Sequence, residues 1–310
     1  MSLWHDLSWV LPLRHPALTA IFEAFTLAGY PLFYLALLPL AYWLWKPRES
    51  HQLVAFLILS ALLNSFLKDF FDDPRPDVTF ALDGRVGGSY GFPSGHAQLA
   101  VVTWGALAIF AGTRAAKLGA AVMIVGICLS RLYLGVHDIE DVVGGLALGG
   151  LSLLLFARYR EALIAQWERL PWLPQGAVLL APLGLLPLLW PEPDGPGGVL
   201  GLSAYLFGWW LGHRLARNDN PAQPTLGGIS GWLIAAGALA VLFLGLSQIS
   251  TGLEALGLGE GLSALLEITV MGAYVTALAG GGRWLQRHRA PAPLRRAQGR
   301  SGQRCPGSNL

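Results

Sequence analysis

Charge is scarce in this sequence: only 13% of its 310 residues are Asp, Glu, Lys or Arg, where a soluble domain carries about 25%. Hydrophobic residues make up 54%, and the shortage of charge runs the length of the chain. These two features exclude a water-soluble globular domain and point to a polytopic membrane protein. Cysteine is nearly missing too. Cys128, in an apolar run, and Cys305, in a polar tail, provide no disulfide framework and read as a core thiol and an incidental one. No basic patch interleaved with aromatics is present and the net charge is only +2, so nucleic acid is not an expected partner. The opening MSLWHDLSWV lacks a basic stretch followed by a small-residue cleavage site, and no cleaved signal peptide is expected.

Apolar runs are abundant. A helix needs roughly 20 mostly apolar residues to cross a bilayer, and nine runs approach that: 17–45, 52–71, 97–112, 118–134, 140–157, 175–190, 198–212, 229–248 and 262–281. The expected fold is an all-α polytopic membrane helical bundle of about nine transmembrane helices. Lysine and arginine collect on the cytoplasmic side of membrane proteins. All but five of the 21 basic residues follow the odd-numbered runs or lie in the tail, which places those segments and the C-terminus in the cytoplasm. The five exceptions, Arg14, Lys68, Arg75, Arg85 and Arg131, share the other side with most of the acids, including Asp69, Asp72, Asp73 and Asp77. Residues 1–16, with Trp4, Leu7, Trp9, Val10 and Leu13, are either an amphipathic helix in the outer interface or a frayed leader. Residues 288–310, rich in Arg, Pro and Gly, read as a disordered cytoplasmic tail. Glu23 and Glu267 sit inside apolar runs and are expected to hydrogen-bond within the bundle. Gly145 and Gly149 put small residues four apart, which suits close helix packing inside one chain.

A cation near a membrane core is costly and usually has a task. Lys68, Arg75 and Arg131 sit at or near helix ends on the acidic side, beside the Pro93–His96 stretch PSGH and the Ser130–Asp141 stretch SRLYLGVHDIED. Short loops gather these helix ends into one pocket whose contents suit a tetrahedral, doubly charged anion. Lys68 is a point charge, and Arg75 and Arg131 are forked donors that match phosphate oxygens. Ser94 and Gly95 open a helix whose free N–H groups attract an anion, and Gly95 lets the backbone come close to it. His137 precedes Asp141 by one helical turn, so the aspartate can hold the ring in one tautomer while the other nitrogen attacks. His96 is left to protonate a departing oxygen.

Lys68-x6-Arg75-Pro76, Pro93-Ser94-Gly95-His96 and Ser130-Arg131-x5-His137-x3-Asp141 resemble, in order, the three motifs of the type 2 phosphatidic acid phosphatase superfamily. That group includes membrane lipid phosphate phosphatases and vanadium haloperoxidases. The resemblance covers about residues 50–155. It implies a helical-bundle core, a phosphohistidine on His137, His96 as acid, phosphate binding by Lys68, Arg75, Ser94, Gly95 and Arg131, and no metal or other cofactor.

The expected organisation is a catalytic core at 17–160, built from the first five runs, and additional transmembrane helices of unknown role at 161–287. The expected function is hydrolysis of a membrane lipid phosphate, a monoester or an isoprenoid diphosphate such as undecaprenyl diphosphate, at the periplasmic or exterior face of the plasma (inner) membrane. Alternatives are a phosphotransferase using the same histidine, a vanadate-dependent haloperoxidase, and a transporter or scaffold with a dead core. Crowding of aspartates near the pocket favours a monoester, particularly one with a nearby ammonium group. Partners are the lipid substrate and surrounding membrane lipids, and the sequence leaves open whether the chain is a homo-oligomer.

Overall fold

The computed structural model describes residues 4–192, 195–216 and 226–289, and among these the regular structure is entirely helical. Local signals explain most helix ends. α1 (Pro16–Leu27) and α2 (Pro31–Leu44) each open on a proline, where a missing N–H costs nothing. Between them the chain turns through 55°, so the first apolar run is two helices broken at residues 28–30. α3 (Pro47–Phe71) again starts on proline and ends at Asp72 in the left-handed region. α4 (Gly95–Ala111) stops at Gly112, also left-handed, and Thr113 then caps α5 (Arg114–Tyr133) by accepting from the Ala116 N–H. A capping box of Asp138 and Asp141 starts α6 (Ile139–Arg169). The remaining helices are α7 (Trp172–Leu189), α8 (Leu200–Leu215), α9 (Gly228–Ala255) and α10 (Glu260–Arg289).

Among the described residues six helices are long and apolar enough to cross a membrane, or seven if the bent α1–α2 pair is one span. The expected nine is therefore not reproduced: α4, at 17 residues, and α8, at 16, are too short to qualify. Leu118, Leu154, Leu188 and Leu233 are each more than 60% exposed, a surface that only a lipid environment tolerates on such a scale. The chain is an integral membrane protein.

Glycines set the closest approaches. A Cβ on Gly145 or Gly149 of α6 would meet the Ser94 or Gln98 carbonyl oxygen at 2.4 or 2.8 Å, so α4 and α6 touch backbone to backbone within the chain. Gly208 and Gly212 of α8 seat against α10 in the same way. The later helices do not form a separate unit. Tyr42 and Leu53 share one buried cluster with Trp209 and Val275, and the Trp43 indole donates to the Val275 carbonyl at 2.8 Å. The core boundary expected near 160 falls inside α6.

The first residues hold a six-residue 3-10 turn, Ser8–Leu13, with Leu7 and Val10 buried and Trp4, Trp9, Leu11 and Leu13 exposed. It is fastened to the start of α6 by the Ile139 N–H donating to the Trp4 carbonyl and by His5 pairing with Asp138 at 2.6 Å. Glu23 is exposed and Glu267 partly buried. The tail from residue 290, with Cys305, lies outside the described residues.

Candidate functional site

Four helix ends converge where the motifs predict: the end of α3, the start of α4, the end of α5 and the start of α6. A cavity of about 230 Å³ lies there, lined by Lys68, Arg75, Gly95, His96, Arg131 and His137, together with Tyr30, Arg85 and Ser89. Two predicted residues, Ser94 and Asp141, stand behind the wall. Ser94 is fully buried as N-cap of α4, and its N–H donates to the Asp141 carbonyl at 2.9 Å, tying α4 to α6. Gly95 has a packing reason to lack a side chain: its Cβ would stand 2.9 Å from the Asn64 amide oxygen.

The orientation of His137 follows from donor counting. Arg75 Nη1 lies 3.2 Å from His137 Nε2, and guanidinium can only donate, so Nε2 is an acceptor without a hydrogen. The hydrogen is therefore on Nδ1, which donates to Asp141 Oδ2 at 2.9 Å. Asp141 is fixed in turn, since Oδ2 also accepts from the Asp138 N–H while the Asp141 N–H donates to Asp138 Oδ1. Burial first, and then the charges of Lys68, Arg75 and Arg131, hold the His137 pKa well below the usual histidine value. The ring is neutral, with its lone pair on the cavity side.

The cations are held by neighbours that the motifs do not name. Lys68 donates to the carbonyls of Tyr90 and Gly91. Arg75 donates to Ser89 and to the Val136 carbonyl. Arg131, 1% exposed, reaches Thr26 and Asp83. Asp83 is a hub that sequence reasoning missed: Oδ2 accepts from Arg131 at 3.1 Å and from the Tyr30 hydroxyl at 2.5 Å, and Oδ1 accepts from Arg85 at 2.8 Å. Burial pushes its carboxyl up, but the hydrogen bonds from Tyr30 and Arg85 outweigh this and hold the pKa down to about 2. Arg85 thus joins as a fourth cation.

His96 is set by two further unforeseen contacts. Tyr30 meets its ring edge-on at 4.7 Å between centroids, and Gly29 packs so tightly that a Cβ there would fall 2.2 Å from His96 Cδ2. Behind it Asn64 bridges the Pro93 carbonyl and Gln98, whose amide donates to Ser60. Buried polar atoms without a partner collect here: Ser94 Oγ, His96 Nε2, Arg131 Nε and Asp141 Oδ1. Since such atoms are normally paired, the donors that reach the cavity, on His96 and Arg131, fit a polar anionic guest, whereas Ser94 and Asp141 stand behind its wall. The aspartates expected near the pocket do not line it. Asp69 accepts from Trp190 and Asp77 from the Thr79 N–H, while Tyr90, beside Asp72, donates its hydroxyl to Glu192. Among the described residues no three of His, Cys, Asp and Glu are grouped to hold a metal.

Residues 50–165 match the model of the PAP2 superfamily. The chain carries a PAP2 superfamily domain. It is 31% identical to mouse sphingosine-1-phosphate phosphatase 2 over 135 residues, 41% of this chain and 38% of that protein. With phosphatidylglycerophosphatase B of Bacillus subtilis it shares 34% identity over 109 residues, 32% of this chain and 52% of that one. The chain thus spans about half or less of the length of these relatives. A solved structure, the transmembrane PAP2 type phosphatidylglycerolphosphate phosphatase of B. subtilis, superposes with a TM-score of 0.43 at 28% identity, covering 50% of this chain and 83% of that one. The PAP2 match takes in α4, α5, most of α3 and α6, and every motif residue, while α7 to α10 lie beyond it.

Proposed function

We propose that the chain is a membrane lipid phosphate phosphatase that works through a phosphohistidine on His137. The observation that carries this is the His137 ring, with Nδ1 on Asp141 and an unprotonated Nε2, in contact with Arg75, facing a cavity of four cations. In the first step Nε2 attacks phosphorus and the bond to the ester oxygen breaks. Before the phosphate binds, burial and the neighbouring cations hold the His96 pKa well below the usual histidine value. The bound dianion offsets those cations, and His96, protonated beside it, gives the ester oxygen its proton while Asp141 stabilises the charge gained by His137. In the second step His96 takes a proton from water, the hydroxide attacks phosphorus, and Nε2 leaves. Lys68, Arg75 and Arg131 stabilise the equatorial oxygens throughout. The residues themselves provide nucleophile, acid and counter-charge, so the reaction is expected to run without a metal.

Charge balance favours a monoester. Lys68, Arg75, Arg85 and Arg131 face two carboxylates, Asp83 and Asp141, leaving two positive charges to match one phosphate dianion, while the proton on His96 is used up by the leaving oxygen. The names of the relatives, a sphingosine-1-phosphate phosphatase and a phosphatidylglycerophosphatase, agree with a lipid phosphate. Free phosphate released from a lipid monoester and from undecaprenyl diphosphate, side by side in EDTA, tests the reading. Faster release from the monoester is expected. Diphosphate preference would overturn the charge argument, phosphate passed to a lipid acceptor would favour the phosphotransferase, and loss in EDTA reversed by magnesium would overturn the mechanism.

The sorting of basic residues supports an active site on the non-cytoplasmic face. Gly88→Cys, at an exposed position with open space around it, should react with an impermeant thiol reagent from outside intact cells. Ala115→Cys, at the other end of the bundle, should not.

A further inference from the structure

A second cavity, of about 1100 Å³, lies at the opposite end of α3. It is larger than the roughly 300–1,000 Å³ of ordinary small-molecule sites. Its walls are residues 48–63 of α3, the second half of α6, the first part of α7 and residues 203–214 of α8. His51 lines this cavity and Lys68 the phosphate pocket, and on a continuous α3 they are about 25 Å of helix rise apart. Most of the lining is apolar, with Leu59, Phe156, Leu179 and Leu206 as examples, and α7 and α8 lie outside the PAP2 domain.

Two features show what this cavity suits. Arg48, Arg160 and Arg214 line it against a single acid, Glu168, and Arg48 and Arg214 are exposed. Lining residues also carry buried polar atoms with no hydrogen-bond partner: His51 Nε2, Gln52 Oε1 and Ser203 Oγ. His51 Nδ1 accepts from the Trp209 indole N–H at 2.7 Å, so in the neutral ring Nε2 carries the hydrogen and is a buried donor. His51 and Gln52 lie one helical turn beyond Arg48. A guest that completes this site brings negative charge to the arginines, donors and acceptors to the next turn, and an apolar body to the rest.

We propose that this cavity binds an anionic membrane phospholipid from the leaflet opposite the phosphate pocket. Its headgroup lies on Arg48 and Arg214, its glycerol and ester oxygens face His51 and Gln52, and its chains fill the space between α6, α7 and α8.

The test uses the full chain in phosphatidylcholine nanodiscs with a trace of phosphatidylglycerol bearing a photoactivatable diazirine on an acyl chain, and maps the crosslinked peptides. Label is expected on residues 55–63, 155–163 and 178–182, displaced by unlabelled phosphatidylglycerol and not by added phosphatidylcholine. The double variant Arg48→Gln, Arg214→Gln should lose this preference by about tenfold, since each surface arginine contributes modestly to anionic-lipid binding. Ser203→Trp should exclude the label by filling the cavity, and Ala55→Leu repeats that test with a smaller side chain if the tryptophan prevents folding, as judged by monodisperse elution. Label spread evenly over lipid-facing helices such as α5, equal competition by phosphatidylcholine, or no effect of the arginine substitutions would each overturn the proposal. Peptide mapping separates this site from the phosphate pocket, so the result does not depend on the proposed chemistry.

Discussion

Lys68 and His51 stand on one helix, yet the two ends of α3 are built on different principles. Around Lys68 the side chains interlock: Arg131 with Asp83 and Thr26, Asp83 with Tyr30 and Arg85, His137 with Asp141 and Arg75. Around His51 the space is almost five times larger, walled by leucine and phenylalanine and rimmed by exposed arginines. A site that stabilises developing charge gains from donors fixed before the substrate arrives. An amphiphile with mobile chains asks only for apolar volume and charge at the rim. The contrast implies that small displacements are severe at the first end and mild at the second.

The largest effect should come from the nucleophile. His137→Ala is expected to lower lipid phosphate turnover on the order of 10⁶-fold, to background, as loss of a nucleophile does elsewhere. His96→Ala should cost about 10²–10⁴-fold on a lipid ester, the range of general acid catalysis. It should cost clearly less on p-nitrophenyl phosphate, whose leaving group needs no proton. Equal losses on the two substrates would remove His96 from the role of acid.

Next comes a residue that no motif contains. A methyl group at Gly29 would overlap His96 Cδ2, so Gly29→Ala must push the imidazole aside. Misplacement by about 1 Å can cost roughly 10²-fold, and that loss is expected in kcat on the lipid ester, again with a smaller loss on p-nitrophenyl phosphate. A drop of the same size on both substrates, or a rise in KM alone, would mean that Gly29 only packs α1 against α4.

These residues mark how much of the molecule was legible. Lys68, Arg75, Arg131 and His137 stand out because each interrupts apolar or helix-end sequence, and spacing alone pairs His137 with Asp141. The break between α1 and α2 carried a signal in Gly29 and Pro31, but the run on either side is apolar enough to read as one span. Asp83 was hidden because its partners are far away in sequence, Tyr30 by 53 residues and Arg131 by 48. Acidic residues in the 68–83 stretch look alike until the loop is folded. Asn64 and Gln98 did offer a clue, as amides inside apolar helices, yet only the crossing of α3 and α4 shows that they brace the PSGH turn. The second cavity had no signature, because it arises where α6, α7 and α8 diverge.

A smaller effect is expected from pH. Protonated Nε2 cannot attack, so the acid limb of kcat/KM reports His137. Burial and the neighbouring cations depress its pKa below 6.5, so the ring stays neutral as pH falls through 6.5 and protonates only further down. Between pH 7 and 6 the rate should therefore change by less than about twofold on this account, where an ordinary histidine would already be mostly protonated at pH 6. A kcat/KM profile that, after allowance for the second ionisation of the phosphate ester, falls with a midpoint at or above 6.5 would show that burial and the cations do not depress the His137 pKa.

The smallest effect should come from the loop aspartates, and it bears directly on substrate class. On sequence, Asp72 and Asp73 were candidates for a recognition surface facing the headgroup. In the fold neither lines the phosphate pocket, and Tyr90, beside Asp72, gives its hydroxyl proton to Glu192. Asparagine keeps the size and shape of both side chains and tolerates the left-handed backbone of Asp72. Asp72→Asn with Asp73→Asn should therefore leave the ratio of monoester to diphosphate turnover within about twofold, since neither carboxylate lines the pocket and solvent screens most of what they contribute there. Asp83→Asn is the sharpening control. It removes one of the two carboxylates balancing the pocket, adding net positive charge beside the substrate, and should move the ratio toward the diphosphate. If the loop pair shifts the ratio and Asp83 does not, the headgroup is read by the loop, and the assignment of specificity to the Asp83 hub is wrong.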